Sequence, residues 1–72
     1  MDREMVERHL AQAERHVAEC ERHVARQRDI VLTLETHGHD ATVALQLLWQ
    51  YEQILAAHID GRDRIEAELA AA

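Results

Sequence analysis

The sequence lacks proline, lysine and phenylalanine, and it has only two glycines, one cysteine, one tryptophan and one tyrosine. Without proline, little in the chain can interrupt a helix. Because Cys20 is the only cysteine, an intrachain disulfide is excluded. A lone thiol is typical of proteins from a reducing compartment, so we expect a cytoplasmic protein.

The chain of 72 residues can hold one domain at most, spanning 1–72. A monomer of this size usually needs a disulfide, a metal ion or a partner subunit to be stable, and self-association is the route expected here. The net charge of −6 predicts no general affinity for nucleic acid or for an anionic membrane surface. The charged residues 1–10 do not resemble a signal peptide.

Residues 41–59 carry a single charge and are long enough to suggest a membrane span. Gln46, Gln50, Gln53 and His58 would then lie in hydrocarbon, where polar side chains are costly. A helix that is buried on two sides explains this segment better.

Alanine, glutamate, arginine, leucine and glutamine dominate what is present, and all five favour helices. Asp2 is placed to cap a first helix, Gly38 to end it in the left-handed conformation, and Asp40 to cap a second helix. Gly61 falls inside the second helix, where a glycine marks either a kink or a point of close helix approach, and we expect the helix to continue through it. We therefore predict an all-α fold, an antiparallel two-helix hairpin with a helix over about 3–36, a turn at 36–40 and a helix over about 41–70.

The tripeptide Glu-Arg-His recurs every seven residues, beginning at residues 7, 14 and 21. This heptad predicts a helix with one continuous packing seam. The seam has two rows, which are Leu10, Val17, Val24 and Val31, and Val6, Ala13, Cys20, Gln27 and Leu34.

The second helix is apolar around more of its circumference than one partner helix can cover. Its predicted seam contains Ala41, Ala44, Leu48, Tyr51, Leu55, His58, Arg62, Ile65 and Leu69. Val43, Leu45, Leu47, Trp49, Ile54 and Ile59 lie elsewhere. We therefore expect two hairpins to form a homodimeric four-helix bundle, since burial of apolar surface drives association. The predicted interface residues are Leu48, Trp49, Tyr51, Ile54 and Leu55.

The histidines of the repeat, His9, His16 and His23, share one heptad position at the edge of the seam. The favoured interpretation is that they cover the core with an apolar ring while the polar ring atoms reach water. A second interpretation is a zinc or other transition-metal site of His16, Cys20 and His23, which have suitable ligand types on one helix face. A third is a response to pH, because imidazole titrates near pH 6.5.

The segments "HVAE" and "ERHVARQ" (16–27), "GHD" (38–40) and the alanine and leucines at 44, 47 and 48 resemble a group of short, uncharacterised helical-hairpin proteins of alphaproteobacteria. The resemblance covers about two thirds of the chain. It implies a small cytosolic helical protein and no activity.

No glycine-rich phosphate loop, nucleophile elbow or carboxylate pair typical of an enzyme occurs in the sequence. We therefore expect no catalysis and no cofactor. The predicted function is that of a non-enzymatic interaction or structural protein, a homodimeric four-helix bundle whose outer surface meets a protein partner. The first alternative is a metal-binding bundle. The second is an RNA-binding hairpin dimer, which uses the arginines of the first helix.

Overall fold

Two long α-helices lie side by side, and the computed structural model describes residues 2–71. Helix α1 is Arg3–Thr36 and helix α2 is Thr42–Ala71. The hairpin measures 54 × 14 × 13 Å. The prediction of an all-α antiparallel hairpin is confirmed. Neither described helix is both long and apolar enough to span a bilayer.

The first helix begins and ends where its capping residues predict. The Asp2 side chain accepts a hydrogen bond of 3.0 Å from the backbone N–H of Glu4. At the other end, Gly38 has a φ of 73°. The N–H of Gly38 donates to the carbonyl of Glu35 at 3.1 Å, and that of His39 donates to the carbonyl of Leu34 at 2.8 Å. This pair of bonds is the Schellman motif, which satisfies the last carbonyls of a helix and requires a left-handed residue.

Asp40 fixes the entry into α2. One oxygen of its carboxylate accepts hydrogen bonds from the backbone N–H of Thr42 at 2.9 Å and from the Thr42 hydroxyl at 2.6 Å. These bonds, the hydroxyl bond first, lower the pKa of the Asp40 carboxyl. Helix α2 begins at Thr42, one residue later than the sequence predicts, and continues without interruption through Gly61.

The seam between the helices follows the heptad. In α1, the buried residues all belong to the two predicted rows, and they are Val6, Val17, Val24, Gln27 and Val31. The nine predicted seam residues of the second half of the chain, which are Ala41 and eight residues of α2, are each buried or half-buried. Within Thr42–Ala71, however, no residue is fully buried. The core is therefore a single seam that stays open along both sides.

The buried polar residue of the seam, Gln27, is only 5% exposed. Its side-chain amide donates a hydrogen bond of 2.9 Å to the backbone carbonyl of Ala44 in α2. A buried amide needs such a partner, because an unsatisfied one destabilises the fold. The bond also fixes the axial position of α2 relative to α1 near the turn.

Candidate functional site

One long side of the hairpin is lined by imidazole, phenol and aliphatic side chains. We call it the histidine face, and it consists of His16, His23 and Ile30 from α1 and Tyr51, Ile54 and His58 from α2. The ring centroids of His16 and His58 are 5.4 Å apart, with an angle of 67° between the planes. Those of His23 and Tyr51 are 5.8 Å apart at 78°. Both pairs have the edge-to-face geometry that aromatic rings prefer.

A shallow groove runs along the histidine face. Midway along the hairpin it is lined by Cys20, His23, Tyr51 and Ile54. Nearer the turn, Ile30 and Gln27 continue it, with Arg26 beside them. Cys20 is half-buried and has a free thiol.

The predicted seam-edge position of the histidines agrees with this geometry, since the rings of His16 and His23 contact α2. Ile30 also belongs to the histidine face, although it is not among the predicted seam or interface residues. It follows His23 by seven residues, so the heptad itself contained the signal.

The opposite long side of the hairpin is acidic. We call it the acidic face, and it consists of Glu7, Glu14, Glu21 and Arg28 from α1 and Leu45, Glu52 and Ile59 from α2. Arg28 reaches across the seam and forms an ion pair of 3.2 Å with Glu52. The heptad spacing places the three glutamates in the column that ends at Arg28.

A second observation links Glu21 to this side. The pKa of Arg62 is raised first by its hydrogen bond to Asp63, and the charges of Glu66 and Glu21 add to the effect. The negative charge of Glu21 therefore acts across the seam on α2.

Large hydrophobic side chains are exposed mainly in the half of the hairpin nearest the turn. They are Ile30, Leu32, Val43, Leu45, Leu47, Trp49 and Ile54, while Met5 lies near the other end. Trp49, at 63%, is one of the most exposed. It lies four residues after Leu45 and three before Glu52, which places it beside the acidic face.

The five predicted interface residues occupy two different environments. Leu48, Tyr51 and Leu55 are half-buried along the seam with α1. Ile54 and Trp49 are exposed, but they lie on different sides of α2. Ile54 borders the groove of the histidine face.

The candidate metal ligands His16, Cys20 and His23 lie on one side of α1, as their spacing predicts. Within residues 2–71, the histidine, cysteine and acidic side chains form no group of three or more that could hold a metal ion. Across the seam, the imidazole ring of His16 lies beside that of His58, a pairing that was not predicted from the sequence.

Comparison with known proteins found no matching family model, no matching curated protein and no matching solved structure.

Proposed function

We propose that this protein is a non-enzymatic interaction or structural protein that acts as a homodimeric four-helix bundle. The observation that carries the proposal is the set of large hydrophobic side chains on α2 that α1 does not cover. Exposed hydrophobic side chains that lie close together on a small protein usually mark a protein contact. Two hairpins packed together would cover part of this surface, and four-helix bundles are the common result.

The size of the exposed surface supports a second copy. The hairpin has 5402 Å² of accessible surface at a mass of 8.3 kDa. Folded monomers of this mass expose about 4600 Å², so the excess is about 800 Å². A standard protein interface buries about 800 Å² on each partner. The elongated hairpin, 54 × 14 × 13 Å, therefore has enough surface beyond that of a compact monomer to supply one such interface.

The open core gives a second line of support. Every seam residue of α2 after Ala41 is half-buried, and none within Thr42–Ala71 is fully buried. A helix that packs on one neighbouring helix leaves its seam partly exposed to solvent, whereas a helix in a four-helix bundle packs on two neighbouring helices. A second hairpin would complete the core of both copies.

The remaining parts of the predicted role follow from this assembly. The outer surface of the dimer would present arginines and carboxylates in ion pairs, such as Arg8 with Glu4 and Arg3 with Glu7. A protein partner would be met by that surface. The lone thiol of Cys20 favours a cytoplasmic setting.

Neither alternative gains a supporting observation. A metal site would need ligands from two copies, because within residues 2–71 one copy forms no three-ligand group. RNA binding would use the arginines of α1, of which Arg28 and Arg8 are already paired with carboxylates. Phosphate binding depends on cations that are not already neutralised.

Sedimentation velocity over a range from low to high micromolar concentration tests the proposal. We expect a dimer that dissociates on dilution, and a melting temperature that rises with protein concentration, because assembly stabilises the fold by mass action. A monomer at every concentration, with a constant melting temperature, would reject the proposal.

A further inference from the structure

The two sides of the hairpin differ most in formal charge. On the histidine face, the columns beside the seam contain His9, His16, His23 and Ile30 in α1 and Leu47, Ile54, Gly61 and Glu68 in α2. Glu68, close to the end of α2, is the single acid among them, and none is an arginine. Arg26 lies only at the edge of the groove.

On the acidic face, the corresponding column of α1 has three glutamates, and that of α2 has Glu52 and Glu66. Within residues 2–71, only Glu52 is paired across the seam, with Arg28, while Glu7 and Glu66 form ion pairs with Arg3 and Arg62 inside their own helices. In a two-fold dimer, the same surface of both copies meets. Packing two acidic faces would bring like charges together and remove them from water, and both effects oppose association.

We propose that the second copy packs on the histidine face, so that Ile30, Tyr51 and Ile54 become core residues of the dimer and Trp49 stays outside. This inference rests on the proposed homodimer and adds which surface forms it. The surface of the hairpin exceeds that of a compact monomer by about 800 Å², which is enough for one standard interface with a second copy. The chain itself supplies a partner face that also has few formal charges.

The groove of the histidine face supports this arrangement. Its floor contains the half-buried Cys20, and Ile54, which is 48% exposed, stands at its edge. A ridge of side chains from one copy can fit into such a groove of the other, as helices pack in bundles. Cys20 lies midway along the hairpin and would be covered in the assembly.

Two matched substitutions test the inference. Ile54 and Leu45 lie on the same helix, outside the seam, and are 48% and 45% exposed. Ile54→Glu places a charge on the histidine face, and Leu45→Glu places one on the acidic face. We expect Ile54→Glu to raise the dimer Kd by a factor on the order of 100 or more, because each dimer would bury two unpaired carboxylates. Leu45→Glu should change the Kd by less than about threefold, as surface charges do.

Sedimentation equilibrium measures both constants, and circular dichroism confirms that both variants stay helical. If Leu45→Glu separates the copies while Ile54→Glu does not, or if both do so equally, the inference is wrong and the homodimer stands. If the unsubstituted protein is monomeric, the proposed function itself fails.

Two measurements on the unsubstituted protein test the inference even if the Ile54→Glu variant does not fold. The rate at which a thiol reagent modifies Cys20 should fall as the protein concentration rises through the Kd. The fluorescence of Trp49, the single tryptophan, should not change over the same range. A constant thiol rate, or a blue shift of the tryptophan emission on association, would overturn the inference.

Discussion

The two glycines allow one substitution to be tested with opposite expected signs. A Cβ added at Gly61 or at Gly38 would meet no atom within 4 Å among the described residues. Packing is therefore the same in both cases, and only the backbone differs. Gly61 has ordinary helical geometry inside α2, whereas Gly38 has a φ of 73°.

Gly61→Ala should raise the free energy of unfolding by about 1 kcal/mol, because alanine loses less conformational entropy in a helix. For a domain of this size, that is an increase of about 4–8 °C in the melting temperature. Gly38→Ala should lower the free energy of unfolding by about 1–2 kcal/mol, since the left-handed conformation is unfavourable for a residue with a Cβ.

Thermal unfolding followed by circular dichroism, at one fixed protein concentration, gives both values. The Gly38→Ala variant serves as the control for any general effect of an added methyl group. If Gly61→Ala destabilises the protein, the helix-propensity reasoning is refuted. The backbone of another chain would then lie against Gly61, since α1 leaves the space open.

Val24→Ala should lower the free energy of unfolding by about 2 kcal/mol in a urea titration, because Val24 is 3% exposed and loses two buried carbons. Gln27→Ala should lower the free energy of unfolding by about 1–2 kcal/mol in the same assay, because the bond to Ala44 and the packing of the side chain are lost. An unchanged free energy of unfolding would mean that the bond contributes nothing. Asp40→Ala should lower the melting temperature less at acidic pH than at neutral pH. The folded pKa of Asp40 lies below the ordinary 3.8, so its contribution is present above that value and is lost as pH falls through the folded pKa. A melting-temperature difference that stays constant below about pH 4 would contradict this.

The seam was predictable because it depends on local spacing alone. Val17, Val24 and Val31 recur every seven residues, and a helix with that repeat can bury only one stripe. The turn was equally readable, since a glycine three residues after Glu35 and an acid two residues before Thr42 each have one favourable backbone role. Local chemistry therefore predicted the hairpin and nearly all of its bounds.

The two faces could not be predicted in the same way. A hairpin of given seams can turn to the left or to the right, and the sense of the turn decides which flank of α1 meets which flank of α2. With one sense of the turn, His23 lies beside Tyr51. With the opposite sense, Glu21 would lie beside Tyr51. That choice depends on the path of residues 37–41 and on the axial position fixed by Gln27 and Ala44. Neither is a matter of periodicity.

The two aromatic residues show what this distinction means for assembly. Trp49 and Tyr51 were both expected at the interface, because large aromatic side chains are enriched there. Being two residues apart on a helix, they point about 160° away from each other. One flat interface cannot bury both in full. Tyr51 already packs on His23 beside the groove of the histidine face, whereas Trp49 lies next to Glu52. If a second hairpin covers one of them, the cost of burying carboxylates selects Tyr51.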